Sequence, residues 1–180
     1  MRIWLGGRIP GGSETCTARK YLAVLEEHMK ASDVMSKRLI CCLKSDTVQS
    51  VANLMKTHDI GAIPVVSDLE SKRLEGIVTD RDLCVRVIAA GGDPKTTLVG
   101  SVMSPAPVTC NGDDTLERCE QLMRERQVRR LPVVDSQGHC VGVLAQADIA
   151  LHETPEKFLH MLAGISVPRA PGIVGSHAVA

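Results

Sequence analysis

The chain has 180 residues, with Lys plus Arg equal to Asp plus Glu at 21 each and 44% hydrophobic residues. That length fits one domain of middling size, or two small ones sharing a core, and buries roughly 70% of the unfolded surface without a metal or disulfide. Zero net charge removes any general attraction for nucleic acid or anionic lipid, so an anion must be held by a local cluster.

In chain order, residues 1–32 read as an N-terminal extension. Its start, MRIWLGGRIPGG, is broken by glycine and proline and lacks the apolar run of a secretory signal. A helix is expected at 17–29, and the run from Met29 to Met35 resembles a natural opening, so the leader is either an upstream misread or a real addition. Residues 33–90 begin with a β-rich run, Leu39 to Leu43. Asp46-Thr-Val-Gln49 then places an acid as N-cap before Gln at N3, predicting a helix with a buried stripe at Val48, Val51, Ala52 and Met55. Two apolar runs follow, Ala62 to Ser67 and Leu74 to Thr79. A helix is expected from Asp80 to Ala90, stopped by Gly91-Gly92-Asp93-Pro94, with a linker at 91–100.

Residues 101–153 read the same way. Val108 to Cys110 is β-rich, Asp114-Thr-Leu-Glu117 repeats the capping pattern, and Leu116, Cys119 and Met123 form the stripe. Strands are expected at Arg130 to Asp135 and Cys140 to Ala145, and a short helix from Ala147 to His152. Residues 154–180 read as a C-terminal helix, Pro155 to Ala163, and a mobile tail.

The second pass matches the first residue by residue. At an offset of 68, Val34-Met35-Ser36 falls on Val102-Met103-Ser104, Asp46-Thr47 on Asp114-Thr115, and Pro64-Val65-Val66 on Pro132-Val133-Val134. After a two-residue deletion, Gly76 falls on Gly142 and Asp82 on Asp148. Each unit is β-α-β-β-α. A unit of ~55 residues cannot cover both faces of its sheet alone, so an α/β (α+β) fold follows, with two motifs packed sheet to sheet about a pseudo-two-fold axis.

The Val-Met-Ser openings, Ile60-Gly-Ala-Ile-Pro-Val-Val66 with Val128-Arg-Arg-Leu-Pro-Val-Val134, and Gly76-Ile-Val-Thr-Asp-Arg-Asp82 with Gly142-Val-Leu-Ala-Gln-Ala-Asp148 resemble the cystathionine-β-synthase (CBS) domain family. The resemblance covers about two thirds of the chain. It implies a cleft between the motifs with two related sites for adenine nucleotides or similar adenosyl compounds, and a homodimer formed through the helices at Thr47–His58, Asp80–Ala90 and their counterparts.

The residues themselves support such a site. Thr79 ends a strand and Asp82 lies in the next helical turn, so both side chains and the helix N-terminal amides converge. Amides there favour phosphate, and a carboxylate suits ribose hydroxyls. The strand edge at Ile40, Cys41 and Cys42 is placed against an adenine edge, with Ile63 and Pro64 as apolar walls. The alternative role for Asp82 and Asp148 is capping their helices. The second unit has Ala145 where the first has Thr79, and Arg129-Arg130 where the first has Gly61-Ala62. The resemblance implies that the arginine before the Leu-Pro strand reaches a phosphate bound by the partner unit. Thr79, Asp82 and Arg130, with Arg129 or Arg81 in support, then make one complete site, and Asp148 with Ala145 a weaker one.

The leading expectation is a regulatory module sensing AMP, ADP or ATP, working as a homodimer or by pressing on a regulated partner protein. The alternatives are a structural dimerisation module with a vestigial cleft, and S-adenosylmethionine as ligand. No nucleophile elbow, P-loop or HExxH pattern suggests an enzyme. Seven cysteines without a CxxC pair read as buried reduced thiols, with no metal site and no cofactor expected. No run approaches the ~20 apolar residues of a membrane span, and aromatic residues are limited to Trp4, Tyr21 and Phe158. A cytoplasmic protein with neither membrane nor nucleic-acid partners is expected.

Overall fold

The computed structural model describes residues 29–167. The expected helix at 17–29 and the expected mobile tail lie outside the described residues, apart from their boundaries.

The elements run α1 (Ala31–Val34), β1 (Cys42–Leu43), α2 (Val48–His58), β2 (Ala62–Val66), β3 (Leu74–Thr79) and α3 (Asp80–Leu83), which continues as a π-helical stretch over Cys84–Ile88. A 3-10 turn at Val99–Ser101 leads to β4 (Ser104–Pro105), β5 (Cys110–Asn111), α4 (Leu116–Arg126), β6 (Arg130–Val134), β7 (Cys140–Ala145), α5 (Gln146–Ala150) and α6 (Pro155–Ser166). The strands make two sheets, β1-β2-β3-β4 and β5-β6-β7. Within each, a parallel pair precedes an antiparallel one: Cys42 faces Val65 as Cys110 faces Val133, and Ala62 faces Thr79 as Arg130 faces Ala145. Even the register irregularity recurs, between Val65 and Val66 and between Val133 and Val134.

The equivalent long helices both end on a non-glycine residue with left-handed φ, Asp59 at 53° and Gln127 at 51°. Their starts correct the expected capping. Thr47 and Thr115, not the preceding acids, are the N-caps, accepting from the amides of Ser50 at 3.2 Å and Arg118 at 3.3 Å. Asp46 and Asp114 instead close the strand-to-helix loop, accepting from the amides of Leu43 and Asn111, each at 2.8 Å. An acid followed by threonine offers two side chains able to cap, and the loop geometry decides which one does.

The two openings are exchanged between the units. The Ala31 amide donates to the Asp114 carbonyl at 2.8 Å and the Ser32 amide to Gly112 at 2.9 Å; reciprocally, Val99 donates to Asp46 at 2.9 Å and Gly100 to Lys44 at 3.0 Å. Further on, β4 joins the first sheet, with Ser104 opposite Ile77, and Ser36 bridges Val143 in the second. This crossing requires glycine beneath it. A Cβ at Gly76 would sit 2.6 Å from the Met103 sulfur and 3.0 Å from the Ser104 carbonyl oxygen; one at Gly142 would meet the Met35 sulfur and the Ser36 carbonyl oxygen. The hydrophobic cores follow the exchange. Val99, Val102 and Met103 are buried with Val48, Val51, Ile63, Val65 and Val78, while Ala31 and Val34 are buried with Leu116, Cys119, Met123, Leu131 and Val133. Burial of a Val or Met side chain such as Val34, Val99, Val102 or Met103 is worth about 1.5–3 kcal/mol, so each opening is bound to the other unit by more than its hydrogen bonds.

α6 is longer than its expected span and packs on α4, burying Met161 and Ile165 in the core of the second unit. The matching helical face of the first unit has no such cover within the described chain. A shallow apolar cavity of about 370 Å³ opens there, lined by Ala52, Met55, Leu83, Cys84, Ile88 and Pro94 among others.

Candidate functional site between the units

β2 and β3 are antiparallel, so the beginning of one lies beside the end of the other, and the Asp80 amide donates to the Gly61 carbonyl at 3.2 Å. This puts Gly61 against the turn that carries Thr79 and Asp82. The Thr79 amide and hydroxyl donate to Asp82 Oδ2 at 2.9 and 2.6 Å, and the Asp82 amide returns to the Thr79 Oγ1 at 3.2 Å. The pair is thus a reciprocal helix cap, as the alternative reading of the spacing had it. The second oxygen, Oδ1, lies 3.4 Å from Arg86 Nε. The Asp82 side chain is only 15% exposed, so the ions meet in a setting where their attraction is stronger than in open solvent.

Arg130, at the start of β6, sends its guanidinium across to the first unit. A Cβ on Gly61 would fall 3.0 Å from Arg130 Nη2 and 2.8 Å from Asp80 Oδ2. The glycine therefore leaves room for a cation from one motif beside the helix start of the other. Arg81 and Arg129 are exposed. The Arg81 amide donates to Asp80 Oδ1 at 2.7 Å, and the Arg129 carbonyl accepts from the Gln146 amide at 3.0 Å.

The proposed adenine wall needs a correction. Cys42 and Ile63 are buried among Val48, Val51, Met55 and Leu83, on the helix-facing side of the first sheet. Their side chains belong to that core and do not line the cleft. Strand alternation turns Cys41 and Pro64 to the other face; Cys41 is half-buried, Pro64 buried, and Ile40 packs at the edge of the core. The Cys42 Sγ donates to the Pro64 carbonyl at 3.9 Å. Burial, helped by Asp46 and Cys41, pushes its thiol up to about 12, so it is no nucleophile at neutral pH. All six cysteines among the described residues are free.

At the pseudo-equivalent point of the second unit, the Ala145 amide donates to Asp148 Oδ2 at 2.8 Å, without a hydroxyl to complete the cap. His152 stands where Arg86 stands in the first unit, and its Nδ1 lies 2.9 Å from the Asp148 carbonyl oxygen. Ala62, the counterpart of Arg130, has no charge to send back. Sequence reasoning brought Thr79, Asp82 and Arg130 to one region and overlooked Arg86 and Asp80. The i,i+4 spacing of Asp82 and Arg86 on a helix was the available signal.

The comparisons with known proteins agree with this architecture. The family model for the CBS domain matches twice, at residues 31–88 and 99–153. The CBS domain-containing protein YhcV of Bacillus subtilis is 42% identical over 121 residues, 67% of this chain and 83% of its own length. A crystal structure of Hypoxic Response Protein I with two coordinated zinc ions aligns with a TM-score of 0.63 at 34% identity, over 70% of this chain and all of that one. CBSX2 of Arabidopsis thaliana, in complex with AMP, aligns with a TM-score of 0.58 at 27% identity, over 68% and 93% of the two chains. Among the described residues here, no group of three or more His, Cys, Asp or Glu side chains is assembled to hold a metal ion.

Proposed function

The chain belongs to the CBS-domain family as a tandem pair, and on that premise we propose that it is a regulatory module sensing an adenine nucleotide, AMP, ADP or ATP, in the cleft between its motifs. The observation that carries this reading is the reach of Arg130 from the second motif to Gly61 and Asp80 of the first, beside the Thr79–Asp82 pair. A guanidinium next to amides at a helix start is an anion-binding arrangement, and an adjacent carboxylate supplies acceptors for ribose. That CBSX2 forms a complex with AMP supports the same ligand class. The charge of Arg130 favours a phosphate-bearing ligand over S-adenosylmethionine, whose sulfonium is positive.

Thr79, Asp82 and Arg130 carry the site, with Arg81 and Arg129 at its rim. Backbone at Ile40, Cys41 and Cys42 and the face of Pro64 are the adenine side. Asp148 and Ala145 form the weaker site. Ligand binding works by population shift, favouring one arrangement of the pair and so the state presented to a regulated protein. A homodimer is the proposed assembly, with the bare apolar face around Ala52, Leu83 and Ile88 meeting a second copy. The reading assigns no catalysis, and a cytoplasmic setting goes with it; no helix among the described residues is long and apolar enough to cross a membrane.

Calorimetric titration with AMP and adenosine tests the site, and light scattering the assembly. Hydrogen bonds to a charged partner contribute about 1.5–3 kcal/mol, so Asp82→Ala should weaken AMP binding by roughly 10- to 100-fold, while Asp148→Ala changes it little. Arg130→Ala should cost as much for AMP but little for adenosine. A wild-type protein that binds neither compound would leave the pair as a structural dimerisation module. A damaging Asp148→Ala beside a silent Asp82→Ala would transfer the working site to the second unit.

A further inference from the structure

The Arg86 side chain holds two things at once. Its Nε lies 3.4 Å from Asp82 Oδ1, and its Nη1 donates to the carbonyls of Val102 at 2.8 Å and Met103 at 3.0 Å. Those carbonyls belong to the opening of the second motif, where it crosses to the first sheet between the 3-10 turn and β4. Val102 and Met103 are buried, and the Ala106 amide beyond them donates to the Glu75 carbonyl at 3.2 Å. The crossing segment is thus fastened to β3 by backbone bonds, by the close approach over Gly76 and by one arginine. That arginine is oriented by the carboxylate to which the ligand site has been assigned. A charge-assisted contact of this kind is directional, so losing the carboxylate frees the guanidinium to leave the carbonyls. The second unit lacks the device, because His152 turns back to its own helix at the Asp148 carbonyl.

We propose that Arg86 is a positioning residue, which aims Asp82 into the cleft and ties it to the crossing segment Val99–Ala106, so that occupancy of Asp82 is read out in the fastening of that segment. The ligand half of this statement rests on the reading of Asp82 as a nucleotide contact; the tie itself does not. A hydroxyl accepted by Asp82 Oδ1 competes with Arg86 for the same oxygen. The bound and free states therefore differ in how firmly Arg86 holds Val102 and Met103, which is the differential interaction that a population shift requires.

Hydrogen exchange read by mass spectrometry on the full chain tests both halves. Without ligand, Asp82→Ala and Arg86→Gln should each speed exchange of the peptide 99–106 by roughly fivefold, the factor for losing a bond of ordinary net strength. The equivalent crossing peptide at 31–38 should stay at the wild-type rate. Thr79→Ala, which breaks the same cap without removing the Asp82 carboxylate, should leave 99–106 unchanged. With saturating AMP, exchange of 99–106 should change in the wild type and stay fixed in Arg86→Gln, whose AMP binding calorimetry follows separately. If Asp82→Ala leaves 99–106 at the wild-type rate, or if both peptides speed up together, there is no tie. If AMP binds the wild type without altering 99–106, the readout is refuted while the nucleotide site stands. Failure of the wild type to bind AMP refutes the nucleotide site and with it the readout, and the ligand-free variants still decide the tie.

Discussion

The two motifs share a backbone and divide on their polar side chains. Strand register, the irregularity within each strand pair, the threonine caps and the left-handed helix ends all recur. The positions that enforce them are buried in both copies: Val48 and Leu116, Val51 and Cys119, Met55 and Met123, Val65 and Val133. Where the copies differ, each difference has a local use. Thr79 and Arg86 surround Asp82, but Ala145 and His152 surround Asp148. Ala52 lies on an open face, whereas Glu120 in its place is buried under α6 beside Glu153. A repeat of this kind keeps its interior nearly fixed and specialises at its edges. One motif here carries the turn in which Thr79 and Arg86 surround Asp82, and the other carries a covered helical face.

The largest effect should come from the cover. Met161 is fully buried between α6 and the second core, whereas Ile88, on the bare face of the first unit, is 61% exposed. Met161→Ala should cost about 2–5 kcal/mol, the range for emptying a packed core site. Ile88→Ala should stay within about 0.5 kcal/mol when unfolding is followed at protein concentrations too low for copies to associate. Urea unfolding measures both, and equal losses would mean that the two faces are not differently used.

A somewhat smaller effect should appear in the pH dependence of stability. Glu120 is 7% exposed, and desolvation, then the charge and hydrogen bond of Glu153, push its carboxyl up to about 7. Lys157 from α6 and Arg124 on its own helix pull the other way without reversing the shift. Because the folded value exceeds the unfolded one, the folded state holds this proton more tightly. Stability therefore falls as pH rises from about 4.5 to about 7 and then levels off, the reverse of a salt-bridged carboxylate. The full difference approaches about 3 kcal/mol at most. Glu120→Gln should flatten that slope, as should Glu120→Ala, which gives the second unit the side chain that the first has at Ala52. An unchanged pH profile in the variant would show that the acid pair does not strain the α4–α6 contact.

Much of the fold was legible because the repeat fixes which positions are equivalent, and period-2 and helical patterns then place each element. The exchange of openings was not legible. Val34-Met35-Ser36 and Val102-Met103-Ser104 align identically whether each packs on its own unit or on the other. The crossing shows in the hydrogen bonds that each opening makes to the other unit and in the close contacts over Gly76 and Gly142. In the site, Thr79 with Asp82 was readable from helix-start spacing, and Arg130 from the contrast with Ala62. Ile63 was misjudged as a cleft wall because a strand buried on both faces shows no alternation of polarity to tell cleft from core. Arg86 was passed over because an Asp–Arg pair four apart usually means an exposed helix surface, and its carbonyl partners lie 16 and 17 residues away.

The smallest predicted effect isolates the cap itself. In the first unit, the Thr79 hydroxyl both accepts from the Asp82 amide and donates to its carboxylate. In the second, Ala145 offers only its backbone amide to Asp148, at 2.8 Å against 2.9 Å for Thr79. The turns are otherwise alike, with extended N-cap conformations at φ −119° and ψ 161° for Thr79 and φ −106° and ψ 156° for Ala145. Replacing a capping Ser or Thr by Ala costs about 0.5–2 kcal/mol. Thr79→Ala should therefore destabilise the protein by roughly 1 kcal/mol, and the reverse change, Ala145→Thr, should recover a similar or smaller amount because the backbone is already in place. Paired urea midpoints of the two variants and their double mutant supply the measurement. Because Arg130, the ladder partner of Ala145, reaches to Asp80 beside Thr79, the double mutant also reads any coupling between the two turns. If Ala145→Thr gains nothing while Thr79→Ala still costs its share, then the hydroxyl of Thr79 owes its value to the neighbouring Asp82–Arg86 pair, and the difference between the motifs lies in that pair more than in the cap.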